Sequence, residues 1–473
     1  MLFISDEFFV FLLLAVAASV LAPNGNVRRY AVLAFCVWFY ASWSLPFMGL
    51  LAANIVADYF LALGIQASAS AARRRVFVTA SVTMNLGMLA VFKYAGFFAS
   101  TSNDVLHLLG TSLTLPVPHL ILPLGISFYV FQAISYTVDI YRGLLTPTRD
   151  LARLATFIMF FPHLVSGPIV RAAEILPQLD RLERPPVIED VMAGTKDFVL
   201  GFARKVFFAD NFALLADATF GAPERYGSVD LLVGLLAYAF QIYFDFSGYS
   251  QMAVGLARLF GIHFPDNFDA PYISRSLQEF WRRWHISLSR FLRDYLYIPL
   301  GGSRAGAART LFALSATMLI GGFWHGANWT FVVWGAIHGF GQALAWAYRQ
   351  FLRGPSHARF WDSPVGNAAG WTLTLSTVLV AWVFFRAPDL PSSLAYLGRM
   401  LGAAPGTAHL DLGGLQTGLF AAAVGFHLIA YFRPQLAIPW PRSALGQGLA
   451  VGAGYFICVA AKAADAPFIY FNF

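Results

Sequence analysis

The chain has 473 residues, 58% of them hydrophobic and 12% charged, with a formal net charge of +7. Soluble globular domains carry about 25% charged residues. The low charge here, with apolar runs of about 20 residues recurring along the chain, excludes a soluble fold and predicts a polytopic all-α membrane protein. No polar stretch is long enough for a separate soluble domain, so residues 1–473 read as a single membrane domain, and no segment has the form of a nucleic-acid module.

Taken in chain order, Leu2 to Leu21 is the first apolar run. Met1 to Glu7 carries no positive charge and no small-residue cleavage motif follows, so the run reads as a retained span rather than a signal peptide. Tyr30 to Ile65 is too long for one crossing and is expected to split at Pro46. Arginines at 28–29 and 73–75 lie two spans apart, which puts both loops on the cytoplasmic face. Val76 to Phe98 crosses outward, 99–118 has no Lys or Arg and reads as an outer loop, and Leu120 to Ile140 returns to Arg142, Arg149 and Arg153. Leu154 to Val170 is broken by Pro162, Gly167 and Pro168 with basic residues on both sides, and reads as re-entrant.

Val191 to Phe220 starts amphipathic and then crosses, and Leu231 to Ala253 crosses back, carrying Asp245. In Ser274 to Pro299, Phe280, Trp284, Phe291 and Tyr295 recur at helical spacing, with Glu279–Arg283 and Arg290–Asp294 pairs on another face. From Arg275 to Arg309 arginines outnumber acids seven to two. This predicts one interfacial amphipathic helix against the cytoplasmic surface and its lipids. Thr310 to Tyr348 holds two helices, and Trp371 to Phe385, Leu415 to Phe432 and Gly446 to Ala461 follow. Counting from Arg349 and Arg353 places the C-terminus outside. The total is 10–12 membrane-spanning or re-entrant helices.

The candidate chemistry centres on Gly321 to Trp329, where His325 interrupts an apolar run. An ionisable group at membrane depth is a functional candidate by default; the bland alternative is a histidine hydrogen-bonded beside two interfacial tryptophans. A neutral imidazole among apolar helices is the kind of base that takes a proton from a hydroxyl. His285 lies where the aromatic stripe of the Arg-rich segment meets its charged face, as a site histidine at a cavity mouth or a snorkelling interfacial one. Arg282 and Arg283, with Arg275, Arg290, Arg293 and Arg304, suit the phosphates of an anionic donor, or else positive-inside topology and lipid headgroups. Asn328 and Trp329 are hydrogen-bond donors near His325, candidates to meet a developing oxyanion, and Asn328 is counted with Arg282 and Arg283 as donor-binding. Asp245 is expected to pair with a site histidine or a buried arginine, or to serve the fold. Asp58 and Lys93 lie near span ends, where snorkelling accounts for them. Cys36 and Cys458 lack metal or CxxC spacing and read as packing residues, and no metal site is expected. His357 to Asp362 fits an H-x4-D acyltransferase pattern but lies in a polar loop without its companions.

The run Phe280-Trp-Arg-Arg-Trp-His-Ile-Ser-Leu-Ser-Arg-Phe-Leu-Arg-Asp-Tyr-Leu-Tyr-Ile-Pro-Leu-Gly-Gly302, followed by Gly322-Phe-Trp-His-Gly326, resembles the membrane-bound O-acyltransferase family. Phe160 to Ile169, Tyr243 to Tyr249 and Phe468 to Phe473 are similar to its bacterial alginate O-acetylase branch, so the likeness covers most of the chain. His163, Gln251 and Asn472 depart from the branch pattern, where Gln, Asp and Gln are usual.

The resemblance implies a central tunnel, His325 as the catalytic histidine and His285 as its second family histidine. It implies an acyl thioester, acetyl-CoA as the expected donor, arriving from the cytoplasm and no bound cofactor. Acetyl is then expected to cross the inner membrane for O-acetylation of an exported polysaccharide, alginate first, with peptidoglycan, cellulose or another envelope polymer as alternatives. The tail resembles those in which a tyrosine accepts the acyl group transiently, which makes Tyr470 the expected relay to a periplasmic SGNH/esterase-like acetyltransferase partner; an aromatic interface anchor is the alternative. D-alanylation of teichoic acid or lipid acylation are further variants. A proton-coupled transporter using His325 and Asp245 is the rival from another class, but the paired broken helices of two related halves that it predicts are not found.

Overall fold

Pro46 sits in the first turn of the helix Leu45–Ala67, where proline is tolerated, and the chain breaks just before it at Ser42 to Ser44. The expected split of the long apolar run therefore falls a few residues upstream of the proline itself. In the computed structural model the described residues are 1–473 except 165, 353, 355–358, 403–404, 433–439, 442, 461–467 and 470–473, and the side chain of 444. Among them the protein is all-helical, with no strand. Tyr470, Asn472 and His357 lie outside the described residues.

Among the described residues six helical stretches are long and apolar enough to cross a membrane: Leu45–Ala67, Ala71–Leu108, Ser228–Arg258, Ala307–His325, Pro364–Arg386 and Gly414–Phe432. Other apolar helices are shorter, such as Asp6–Leu21 with 16 residues and Ala444–Ala460 with 17. The chain divides into two compact units. One comprises Met1–Phe198 with Tyr249–Pro265, the other Val199–Gly248 with Asp266–Phe473.

In the first unit, Leu45–Ala67, Ala71–Leu89 and Ile126–Tyr141 pack on one another. The second of these continues through a π turn at Ala90–Tyr94 into Ala95–Leu108, so part of the expected outer loop is helical. Asp58 is wholly buried where these helices meet, which corrects the snorkelling expectation. Its carboxylate accepts from Ser81 Oγ at 2.5 Å and Asn85 Nδ2 at 2.9 Å, and Ser81 Oγ also meets Thr137 Oγ1 at 2.9 Å. The segment read as re-entrant is broken as its prolines and glycine require, into Leu151–Met159, Phe161–Leu164 and coil. Gly167 has φ 134°, and a Cβ there would lie 2.9 Å from the Ala253 methyl. His163, wholly buried in this segment, meets Gln132 Nε2 through Nδ1 at 2.8 Å.

In the second unit, Ala307–His325 and Trp329–Ala347 form a close antiparallel pair joined by three residues. Small residues allow that approach: a Cβ on Gly335 would lie 2.6 Å from Met318 O, and one on Gly322 would overlap Phe331 O. The Arg-rich segment is not one amphipathic helix. It forms Leu277–Arg283, a break, Ile286–Leu292 and a π-helical turn Arg293–Tyr297. The break is made by His285 itself, in the left-handed region at φ 43°. Phe280, Trp284 and Phe291 are buried against the protein, not laid on lipid. The expected Glu279–Arg283 pair forms at 3.2 Å, whereas Asp294 pairs with its neighbour Arg293 at 2.6 Å.

Candidate active site

His325 is the last residue of its helix, with the chain leaving through extended Gly326. Its side chain is buried in an aromatic cage, ring centroids 5.0 Å from Trp324, 5.0 Å from Trp334 and 5.2 Å from Phe385. A helix end lets an imidazole stand at the edge of the helical hydrogen-bond ladder, and the following turn, capped by Asn328, fixes where the next helix starts. Asn328 Oδ1 accepts from Thr330 N at 3.0 Å, and its Nδ2 donates to Pro388 O at 2.7 Å. Both ends of that side chain serve the turn, which corrects its expected place among donor-binding groups.

His285 is wholly buried, not snorkelling at the surface of the chain. The left-handed break turns its ring inward, 4.6 Å from the Phe246 ring and 6.3 Å from Trp324, which also flanks His325. Asn267 Oδ1 accepts from the Ser287 backbone N–H at 3.1 Å, from Ser287 Oγ at 2.9 Å, and faces His285 Nδ1 at 3.1 Å. An oxygen so placed requires the proton on Nδ1, leaving the His285 Nε2 lone pair as the open position. Nε2 is buried with no hydrogen-bond partner among the described residues. Burial pushes the imidazole down to about 3, so it is a neutral acceptor at ordinary pH.

Two further buried histidines belong to this aromatic cluster and were not singled out in the sequence. His338 Nδ1 accepts from Trp281 Nε1–H at 3.3 Å, which puts the proton on Nε2, the opposite tautomer to His285. Its ring lies 4.7 Å from Trp334, the same indole that flanks His325. His427 lies 4.9 Å from the Tyr243 ring and bonds Ala423 O through Nδ1 at 2.9 Å. The available signal was helical spacing: Trp334 and His338 are four residues apart, on one face of the helix that follows His325.

A cavity of about 710 Å³ opens beside the same helix pair. Arg282, Arg290, Arg293 and Arg349 line it together with Gln278, Gln342, Ser289, Tyr297, Thr317 and Met318, and no carboxylate is among its lining residues. Arg282, one of the arginines singled out in the sequence, thus lines the cavity. Arg283 does not: it pairs with Asp269 at 2.9 Å and Glu279 at 3.2 Å outside the lining, and Arg275 bonds Asn367 at 2.9 Å. Arg349 joins from the far end of the second helix through a π-helical turn, Tyr348–Leu352, a placement no local spacing announces. Met318 lies seven residues before His325 on one helix, about 10 Å along its axis.

Among the described residues Asp245 meets neither a site histidine nor an arginine. Its Oδ1 faces Lys205 Nζ at 2.8 Å, and its Oδ2 accepts the backbone N–H of Ile469 at 2.7 Å. Phe468 and Ile469, the described residues directly before Tyr470, are buried, and the Phe468 ring lies 6.2 Å from Phe246. Among the described residues no group of three His, Cys, Asp or Glu is placed to hold a metal.

Buried imidazoles in an aromatic enclosure stand beside an arginine-lined cavity in an all-helical membrane fold, an arrangement of a kind that accepts an anionic ligand. The family comparison makes the class specific. Residues 144–380 match the membrane-bound O-acyltransferase family, and the chain belongs to it. It is 42% identical over 394 residues to a protein of Azotobacter vinelandii named probable alginate O-acetylase AlgI, covering 82% of this chain and 76% of that one. The similarly named protein of Pseudomonas aeruginosa is 39% identical over 438 residues, 90% of this chain and 81% of the relative. A Helicobacter pylori protein named peptidoglycan O-acetyltransferase is 38% identical over 418 residues, 83% of this chain and 76% of the relative. The protein is thus a multi-pass membrane O-acyltransferase with membrane O-acetylases among its relatives, which sets aside the transporter reading.

Proposed function

We propose that the protein moves acetyl from a cytoplasmic thioester, acetyl-CoA, across the inner membrane for O-acetylation of an exported polysaccharide, alginate in the first instance. The observation that carries this reading is the His325 cage and the arginine-lined cavity sharing one helix pair. Arg282, Arg290, Arg293 and Arg349 receive the donor's phosphates, and the acyl end reaches along the helix toward His325. Tyr470 is the first acceptor. Its hydroxyl gives its proton to His325 as the oxygen attacks the thioester carbonyl; the C–S bond breaks, and the thiolate leaves with the proton returned by the imidazole. The Nε2 lone pair of His285 and the Nε2–H of His338 supply an acceptor and a donor within the same aromatic cluster. A periplasmic SGNH/esterase-like partner then takes acetyl from Tyr470 to the polymer, which releases the tyrosine hydroxyl.

Peptidoglycan is the second reading, favoured by the Helicobacter pylori relative. The test is Tyr470→Phe in cells that make the polymer. Polymer acetylation is expected to fall to background at unchanged protein level, with acetyl-Tyr470 present in the wild type by mass spectrometry. Normal polymer acetylation in Tyr470→Phe would end the relay reading, and acetate on peptidoglycan alone would choose the second polymer.

A further inference from the structure

The second unit holds a buried ion cluster that the transfer chemistry above does not use. Lys205, Asp210 and Asp245 are each at most 2% exposed. Lys205 Nζ lies 2.7 Å from Asp210 Oδ1 and 2.8 Å from Asp245 Oδ1. Lys205 bridges the two carboxylates, and a buried carboxylate is tolerated only when its remaining lone pairs find donors. The local backbone is bent to make this arrangement. Arg204–Ala209 is π-helical, and the backbone N–H of Asp210 bonds Lys205 O, so residues five apart share one face. Such π turns in α-helices are frequent at functional positions.

One carboxylate lone pair meets a main-chain donor far away in the sequence. Asp245 Oδ2, the oxygen turned from Lys205, accepts the Ile469 N–H at 2.7 Å across 224 residues of sequence. A main-chain donor on a carboxylate is a charge-assisted bond and ignores side-chain identity. Phe468 is wholly buried with its ring 6.2 Å from Phe246, and Phe246 touches the His285 ring at 4.6 Å.

We infer that Lys205, Asp210 and Asp245 form a clamp that holds the C-terminal segment by its backbone beside His285. Asp245 is a positioning residue: it fixes the main chain at Ile469 and leaves the choice of reacting group to the residues that follow in the sequence. Its consequence for acyl transfer rests on the reading of Tyr470 as carrier; the clamp itself does not.

Hydrogen–deuterium exchange of the full-length protein in detergent reads the clamped amide directly. Peptides covering Phe468 and Ile469 are expected to exchange at least tenfold faster in Asp245→Ala than in the wild type. Asp58→Asn, at the other buried carboxylate, is expected to leave them protected. Ile469→Pro deletes the donor and keeps the ion cluster, so it tests the clamp even where Asp245→Ala fails to fold; the neighbouring tail amides are expected to lose protection to the same degree. Unchanged tail exchange in Ile469→Pro, or in folded Asp245→Ala, overturns the clamp. Acetyl-Tyr470 is expected to fall at least tenfold in both variants with acetyl-CoA affinity within twofold of wild type, a split that general destabilisation would not give. Faster tail exchange with no acetyl-Tyr470 in the wild type would keep the clamp and remove the relay.

Discussion

Asp58 and Asp245 are both buried aspartates in long apolar helices, one in each unit, and they are solved differently. Asp58 is satisfied by neutral donors on its neighbour helix, Ser81 and Asn85, with Thr137 of a third helix joined through Ser81. Every partner is fixed by the packing of three helices, so the group serves cohesion. Asp245 divides its oxygens between a lysine on a π-helical turn and the main chain of the C-terminal segment. That second partner is the main chain at Ile469, 224 residues further along the sequence. The same contrast runs through the histidines. His163 in the first unit is boxed by Phe157, Phe160 and Phe264 with Gln132 on Nδ1. In the second unit His285, His325 and His338 are linked through shared tryptophans next to an arginine-lined cavity. A buried polar group is therefore read by what its partners can do, and burial alone does not separate structure from chemistry.

The largest effect is expected at His325. Removal of a general base costs about 100- to 10,000-fold in rate, so His325→Ala is expected to lower acetyl transfer by that range with the amount of folded protein unchanged. Comparable loss of folded protein in His325→Ala would erase the distinction between the units. Asp58→Ala should behave in the opposite sense. It leaves Ser81 and Asn85 as buried donors without their acceptor, a loss of about 3 kcal/mol. Thermal unfolding in detergent is expected to move down while activity per folded molecule stays near wild type.

The smallest effect is on pH. Burial pushes both His163 and His285 down to about 3, against about 6.5 in an unfolded chain. Between those values the unfolded state binds more protons, so both histidines make stability fall as pH drops below about 6.5 and have no effect above it. His163→Gln and His285→Gln should each flatten the stability profile between pH 7 and pH 5. Only His285→Gln should also lower activity at pH 7.5; equal activity losses would place His163 in the chemistry.

Much of this protein is legible one residue at a time. Low charge and recurrent apolar runs determine an all-helical membrane protein. Pro46 accounts for a helix start, Pro162 and Gly167 for a broken segment, and the family motif marks His285 and His325. These are properties of local composition and spacing, which steric preference and the cost of unsatisfied backbone in lipid fix without reference to the rest of the chain. The errors share one cause. Period 3.6 in Ser274 to Pro299 suggested a single interfacial helix, yet tertiary packing broke it at His285 in a left-handed conformation and buried its aromatic stripe. Arg283 and Asn328 looked like donor ligands by proximity in sequence, but an ion pair and a helix cap claim them. Arg349 in the cavity wall, the opposed tautomers of His285 and His338, and the grip of Asp245 on Ile469 depend on contacts between residues far apart in the chain. Sequence by itself determined the all-helical membrane character and the motif that carries His285 and His325. Only the tertiary structure decided their partners, because a buried charge or imidazole is defined by the nearest donor or acceptor in space, and that neighbour is chosen by packing.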